Sequence, residues 1–294
     1  MHSMKDPDRL LAQAYRYCKT IALGHYENFP VGSILVPAHL RKHFFALYGF
    51  MRTADDFADL PGRVVTDRLK LLDDWRTKLH AMFAGATPQN PIFLALRDTT
   101  CRFHLAQEPF DLLLDAFEFD ARGDVAFETY DDLHWYTQRS AEPVGQLVLA
   151  LFGYRDDDRI GWSNDICSVL QIINFLQDAR EDLSAGRVYF PREVYAKFGI
   201  TTGNEILNSN CAAALVLSEC DRIEGMLRRG MPLIDSVKGR FKWELRAVIS
   251  GAFAMLDKIR EMKGETMKAR PNLSALEKTA LLFRSFIPPR IRGV

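Results

Sequence analysis

The sequence has no excess of either charge: 38 Lys and Arg stand against 38 Asp and Glu, with a pI near 7.1. Without a basic field there is nothing to gather a phosphate backbone, so nucleic acid is excluded as the default partner. Long apolar runs are missing too. The most apolar stretches, such as residues 169–176, fall well short of the ~18 residues that span a bilayer and are broken by amides. The first nine residues are polar and charged, without the apolar stretch of a secretory signal. Cysteine is scarce. The five (Cys18, Cys101, Cys167, Cys211, Cys220) form no C-x-x-C pair and no cluster with His, which argues against zinc, a redox motif and a disulfide scaffold. They are expected to be mostly small buried hydrophobes in a reducing cytoplasm. No Gly-rich nucleotide fingerprint occurs, so no NADPH site is expected.

Glycine and proline are also sparse, at 18 and 13 of 294 residues, and they fall between long segments of helical period. The segments 40–59, 67–84, 109–122, 130–152, 165–183, 205–229, 238–263 and 273–286 predict helices. Alternating β-branched stretches with hairpin turns are missing, as are linkers, repeats and low-complexity tracts. The expectation is an all-α chain forming one domain over residues 1–294, with 1–16 as an N-terminal extension and 287–294 as a tail. The 169–176 stretch is apolar nearly all round, which places its helix inside the molecule. Polar side chains on such a helix must face a partner or a wet cavity, because an unpaired buried amide costs ~1–3 kcal/mol.

Chemistry concentrates in two acidic clusters far apart in sequence. In Arg52-Thr-Ala-Asp55-Asp56-Phe-Ala-Asp59, Asp55 and Asp59 are four apart and share a helical face. In Gln171-x-x-Asn174-x-x-x-Asp178-x-x-x-Asp182, two amides and two carboxylates form one stripe. Carboxylate pairs at this spacing suit a hard cation such as Mg²⁺, held by one or two carboxylates plus substrate phosphates and waters. Such ions would neutralise charge on a diphosphate leaving group as a C–O bond ionises. A lone D-x-x-x-D is usually a solvated helix end; the second copy, on an apolar helix with two amides, outweighs that reading. Arg52 lies three residues before Asp55, and Tyr48 one turn earlier; His25 and Asn28 sit in a polar interruption before Phe29. Each can donate to phosphate oxygens. Taken singly, an ion pair for Arg52 and a structural hydrogen bond for His25 are the simpler roles.

Together these motifs resemble the squalene/phytoene synthase family, the head-to-head prenyl-diphosphate synthases, from about Tyr17 to Phe286. The markers are His25-x-x-Asn28-Phe29, Tyr48-x-x-x-Arg52-x-x-Asp55-Asp56-x-x-Asp59, Tyr136-x-x-x-x-Ala141-x-x-Val144-Gly145, and Gln171 to Asp182 followed by Gly186-Arg187-x-Tyr189-x-Pro191. The wording is most similar to the bacterial hopanoid-pathway branch, whose members make squalene or hydroxysqualene. The resemblance implies an isoprenoid-synthase helical bundle around a central apolar cavity. It assigns two or three Mg²⁺ to Asp55, Asp59, Asn174, Asp178 and Asp182. Phosphate-side donors are His25, Asn28 and Arg52, although the first motif commonly has Ser where this chain has Asn28. Gln171 matches a cavity-lining amide, Arg187 and Tyr189 a flap, and Tyr136 a wall near the departing diphosphate.

One departure bears on the product. The run Tyr136-Thr-Gln-Arg139-Ser-Ala141-Glu142-Pro143 places Arg139 where reductive relatives carry a tyrosine, and Glu142-Pro143 adds polarity and a helix distortion. A more polar wall would admit water to a carbocation. The implied reaction is ionisation of presqualene diphosphate, rearrangement in a cavity lined by aromatics such as Phe29, Phe45, Tyr48 and Phe175, and capture by water as hydroxysqualene. Core packing is the simpler role for any one of these rings. Condensation of two farnesyl diphosphates to presqualene diphosphate or squalene, or phytoene-type synthesis, uses the same acidic clusters. A non-catalytic assembly-factor role in respiratory complexes also exists on this fold, in relatives that have lost the Asp motifs; here both are complete. The segment 278–292 mixes Leu, Phe and Ile with basic residues, so peripheral membrane contact enters as an expectation alongside a helix packed on the core.

Overall fold

Apolar residues at helical spacing become fourteen α-helices in a computed structural model that describes residues 7–24, 36–123, 125–274, 276, 277 and 279. No strand occurs among the described residues; the one β-type pairing is an isolated parallel bridge between Ala126 and Val188. The chain divides into two compact units, Met1–Arg122 with Gln146–Arg155, and Gly123–Gly145 with Asp156–Val294.

The first unit carries α1 (Pro7–Gly24), α2 (Ala38–Ala58), α3 (Val65–Phe83), α4 (Pro91–Phe103) and α5 (Glu108–Arg122). Helix α2 packs against each of the other four. Its Phe50 is fully buried, with ring centroids 5.9 Å from Trp75 and Phe93 and 5.4 Å from Phe110. Two of these helices were not expected. Residues 7–16, expected as an extension, form the first half of α1, which buries Ala14, Tyr15, Cys18 and Ala22. The stretch before α4 reads as punctuation, yet Asn90 is its N-cap, accepting from the Ile92 N–H at 2.8 Å, and Pro91 opens its first turn. Proline there is a start signal, because its missing N–H has no partner to lose.

A buried polar cluster ties α1, α2 and α4. The Tyr15 hydroxyl donates to Asp98 at 2.6 Å and lies 3.1 Å from His43 Nδ1, which is 3.0 Å from Thr99 Oγ1. Burial, then the charge of Lys42, pushes the His43 imidazole down to about 4, with Asp98 pulling the other way and Arg102 and His39 adding to the fall. The unfolded chain therefore binds the extra proton first, so stability falls as pH drops from 6.5 to about 4. The shift corresponds to roughly 3 kcal/mol at one pKa unit per ~1.4 kcal/mol. His43→Gln is expected to flatten this part of the pH dependence of urea unfolding; a slope equal to that of the wild type would show that His43 does not set it.

The second unit holds α6 (Tyr130–Ser140), the start of α7 (Glu142–Leu151), α8 (Asp157–Gln177), α9 (Ala179–Ser184), α10 (Arg192–Tyr195), α11 (Gly203–Ile206), α12 (Ala212–Gly230), α13 (Pro232–Ser236) and α14 (Gly239–Glu261). Helix α8 is the hub: α6, α12, α13 and α14 pack on it, and it buries Ile166, Val169, Ile172, Ile173, Phe175 and Leu176. Two glycines permit close approaches to α8. A Cβ on Gly145 would run into Ser163 Oγ and lie 2.6 Å from Cys167 Sγ, and one on Gly230 would lie 2.6 Å from Ile166 Cγ1.

Three expected helices are divided. The 130–152 helix breaks at Ala141 (φ −128°, ψ −47°), two residues before Pro143, whose ring and missing N–H cannot continue the ladder of α6. The 165–183 helix starts earlier, at Asp157 behind the Asp156 cap, and kinks at Asp178. The 205–229 segment is α11, a turn and α12. Most of the expected 273–286 helix, and the basic segment from Lys278, lie outside the described residues. All five cysteines are free. Cys18 and Cys220 are buried and Cys167 half-buried, but Cys101 and Cys211 are exposed, against the expectation for most of them.

Candidate active site

In the first unit, the last turns of α2 present the first acidic cluster. Asp55 is half-buried, and Asp59 is the exposed C-cap, its N–H bonded to the Asp55 carbonyl at 3.0 Å. Arg52 bridges two carboxylates, donating to Asp55 Oδ2 at 3.0 Å and Asp56 Oδ1 at 2.5 Å. Burial opposes the guanidinium charge, but Asp55 and Asp56 outweigh it and hold the Arg52 pKa above its ordinary value. Tyr48 is buried one turn earlier, with its hydroxyl pKa raised by burial, and Phe45 is buried on the same helix. His25, Asn28 and Phe29 lie outside the described residues.

The second cluster, in the second unit, straddles the α8–α9 kink. Backbone bonds carry the helical course through it: Asp178 N–H to Asn174 O and Asp182 N–H to Asp178 O, both 2.9 Å. Asp178 and Asp182 thus remain one turn apart, as their spacing predicts. Both carboxylates are held by arginines. Arg187 donates from Nε and Nη2 to Asp182 Oδ1, at 3.0 and 2.7 Å, and Arg270 donates from Nε to Asp178 Oδ1. Asp182 is buried, which pushes its carboxyl above the usual range while Arg187 pulls it down. Gln171 is half-buried; Asn174 is exposed, not the buried amide its apolar neighbours imply, because it faces away from Ile172, Ile173, Phe175 and Leu176. Arg270 escaped sequence reasoning, since a cation 92 positions from Asp178 leaves no local spacing to read.

Beside this cluster stands an aromatic box. The Phe175 and Tyr189 rings stack at 3.7 Å and 5°, and the buried Tyr136 ring lies 6.0 Å from Phe175 and 6.1 Å from Tyr189. Phe127 closes the set, 5.7 Å from Tyr136. Tyr189 arrives there because Gly186 turns the chain at φ +80°, and Val188 N–H then bonds Val125 O at 2.8 Å. The π faces gathered here can stabilise a cation. The Arg139 guanidinium lies 4.2 Å from the Trp135 ring centroid and Nη1 donates to Trp135 O.

The donors of both clusters are oxygens only, the chemistry of a hard cation. Among the described residues no three His, Cys, Asp or Glu side chains gather into a closed metal cage. Pairs of carboxylates one turn apart fit Mg²⁺, whose remaining positions are filled by water and phosphate; Asp55 and Asp59, and Asp178 and Asp182 with Asn174, are the residues that would hold it.

The squalene/phytoene synthase family model matches residues 23–277. A presqualene diphosphate synthase of Zymomonas mobilis is 35% identical over 176 residues, 59% of either protein. A hydroxysqualene synthase of the same organism is 35% identical over 187 residues, 62% of this chain and 60% of that protein. The matched region thus spans less than two thirds of these relatives. The crystal structure of squalene synthase HpnC from Alicyclobacillus acidocaldarius superposes with a TM-score of 0.80 at 35% identity, over 86% of this chain and 95% of the other. With the family model matched over most of the chain and the all-α fold shared with such a synthase, the chain belongs to the squalene/phytoene synthase family.

Proposed function

We propose that the protein is a Mg²⁺-dependent synthase of the squalene branch. It ionises presqualene diphosphate and lets water capture the rearranged carbocation as hydroxysqualene, with release of diphosphate. The observation that carries this reading is the Phe175–Tyr189 stack with Tyr136, built beside the Asp178–Asp182 pair. Likeness to HpnC over most of the chain supports the squalene branch. Bound Mg²⁺ would supply neutralisation of the diphosphate charge. Arg52, Arg187 and Arg270, now on carboxylates, are the donors that can turn to phosphate oxygens. The rings of Tyr136, Phe175 and Tyr189 offer a cation ~0.5–2 kcal/mol each. Water, not hydride, ends the sequence, so NADPH is not needed.

Likeness to presqualene diphosphate synthases favours a second reading, condensation of two farnesyl diphosphates one step earlier. No described helix is long and apolar enough to cross a membrane; in this reading the enzyme works in the cytoplasm and meets its lipid substrates at a membrane surface. Incubation with Mg²⁺ and presqualene diphosphate, without NADPH, is expected to give hydroxysqualene by mass spectrometry. Turnover of farnesyl diphosphate alone would move the enzyme to the second reading, and no diphosphate release from either would remove both.

A further inference from the structure

Glu142, the first residue of α7, was expected only to add polarity to the wall, yet its side chain is buried in the second unit with 4% of its surface exposed. Its Oε1 lies 2.9 Å from Ser168 Oγ on α8, and Ser168 Oγ is 3.0 Å from Thr137 Oγ1 on α6. Thr137 in turn donates to the His134 carbonyl at 3.1 Å. One hydroxyl hydrogen on Ser168 cannot serve both Glu142 and Thr137. If Glu142 carries a proton, every link has its own: Glu142 to Ser168, Ser168 to Thr137, Thr137 to His134 O. Burial favours that neutral form and raises the Glu142 pKa, against Ser168 and His134; Asp165 adds to the rise. His134 Nδ1, on a half-exposed ring, is 3.6 Å from Glu142 Oε1.

The chain of hydrogen bonds fastens the broken end of α6 to α8 just where the aromatic box depends on their spacing. Thr137 adjoins Tyr136, and Ser168 lies two turns before Phe175 on α8. A rotation of α6 by roughly 10° would move a ring about 6 Å from its axis by about 1 Å, enough to cost on the order of 10²-fold where geometry matters. Resting on the proposed ionisation reaction, we infer that Glu142 is a positioning residue which, through Ser168 and Thr137, holds Tyr136 against Phe175 and Tyr189 and so sets how the carbocation is partitioned among products.

The test compares Glu142→Gln, Glu142→Ala and Ser168→Ala with the wild type in diphosphate release, product composition and near-ultraviolet circular dichroism. Glutamine puts an amide N–H donor in place of the carboxyl O–H and keeps the shape, so it is expected to retain wild-type products and release within about twofold. The two alanine variants are expected to keep KM within about threefold but to shift the ratio of alcohol, from water capture, to alkene, from proton loss to water, at least about fivefold, with weakened aromatic dichroism. Alanine variants that fold and give wild-type products overturn the inference, as does a glutamine variant that behaves like alanine. If the wild type turns over neither prenyl diphosphate, the reaction reading fails by itself. The strut is then judged on dichroism: loss in both alanine variants with rescue by glutamine supports it, and unchanged spectra overturn it.

Discussion

Asp178→Asn, and separately Asp55→Asn, are expected to lower diphosphate release by about a thousandfold or more while the protein still melts cooperatively. Each change removes one anionic ligand and keeps the shape. Removing a single preorganised stabiliser of developing charge costs ~10²–10³ in rate, and a metal-ligating carboxylate stabilises charge through the ion as well. Stability should change little. Asp178 is half-exposed and its pair with Arg270 is open to water, so the lost ion pair is worth no more than ~1 kcal/mol. Asp56→Asn is the internal control. Asp56 holds Arg52 but sits off the Asp55–Asp59 face, so its loss is expected to cost less than about tenfold. Diphosphate release measured across a Mg²⁺ titration separates the cases: activity in Asp178→Asn equal to the wild type would remove the metal role, and equal losses at Asp55 and Asp56 would reassign it to Arg52.

The largest stability effect is expected from Phe50→Ala, at ~3–5 kcal/mol. Phe50 is fully buried and touches three further rings, Trp75, Phe93 and Phe110, supplied by α3, α4 and α5. Truncation leaves a cavity that these large, mutually wedged side chains cannot collapse to fill, since Trp75 and Phe93 already stand 4.5 Å apart. Tyr17→Ala on α1, half-exposed, is the comparison and is expected to change stability by less than ~0.5 kcal/mol. Urea unfolding monitored by tryptophan fluorescence reads both; a Phe50→Ala loss below about 1 kcal/mol would mean the four rings are not the core of the first unit.

Much of this was legible before any coordinates. Helical period gave α2, α3, α5 and α14 to within two residues at either end, because each has one apolar face and clear punctuation. Misreadings came from signals with two meanings. Pro91 after Asn90 looks like a loop and is a helix start; Pro143 looks like a bend within one helix and ends α6 instead. The polar opening of α1 hides a buried seam in which Tyr15 finds Asp98, 83 positions away.

The candidate site divides along the same line. Sequence by itself determined that Asp55 and Asp59, and Asp178 and Asp182, lie one turn apart, since i and i+4 positions are neighbours through the local backbone alone. It also determined the oxygen-only donor set that suits a hard cation. Only the tertiary structure decided that Arg270 lies on Asp178, that Asn174 is exposed, that Tyr189 stacks on Phe175, and that Glu142 is buried against Ser168. Those outcomes depend on chain segments brought together from 14 to 92 positions apart, by burial of apolar surface elsewhere in the molecule. Such burial is non-directional and leaves no periodic mark at the residues it happens to join.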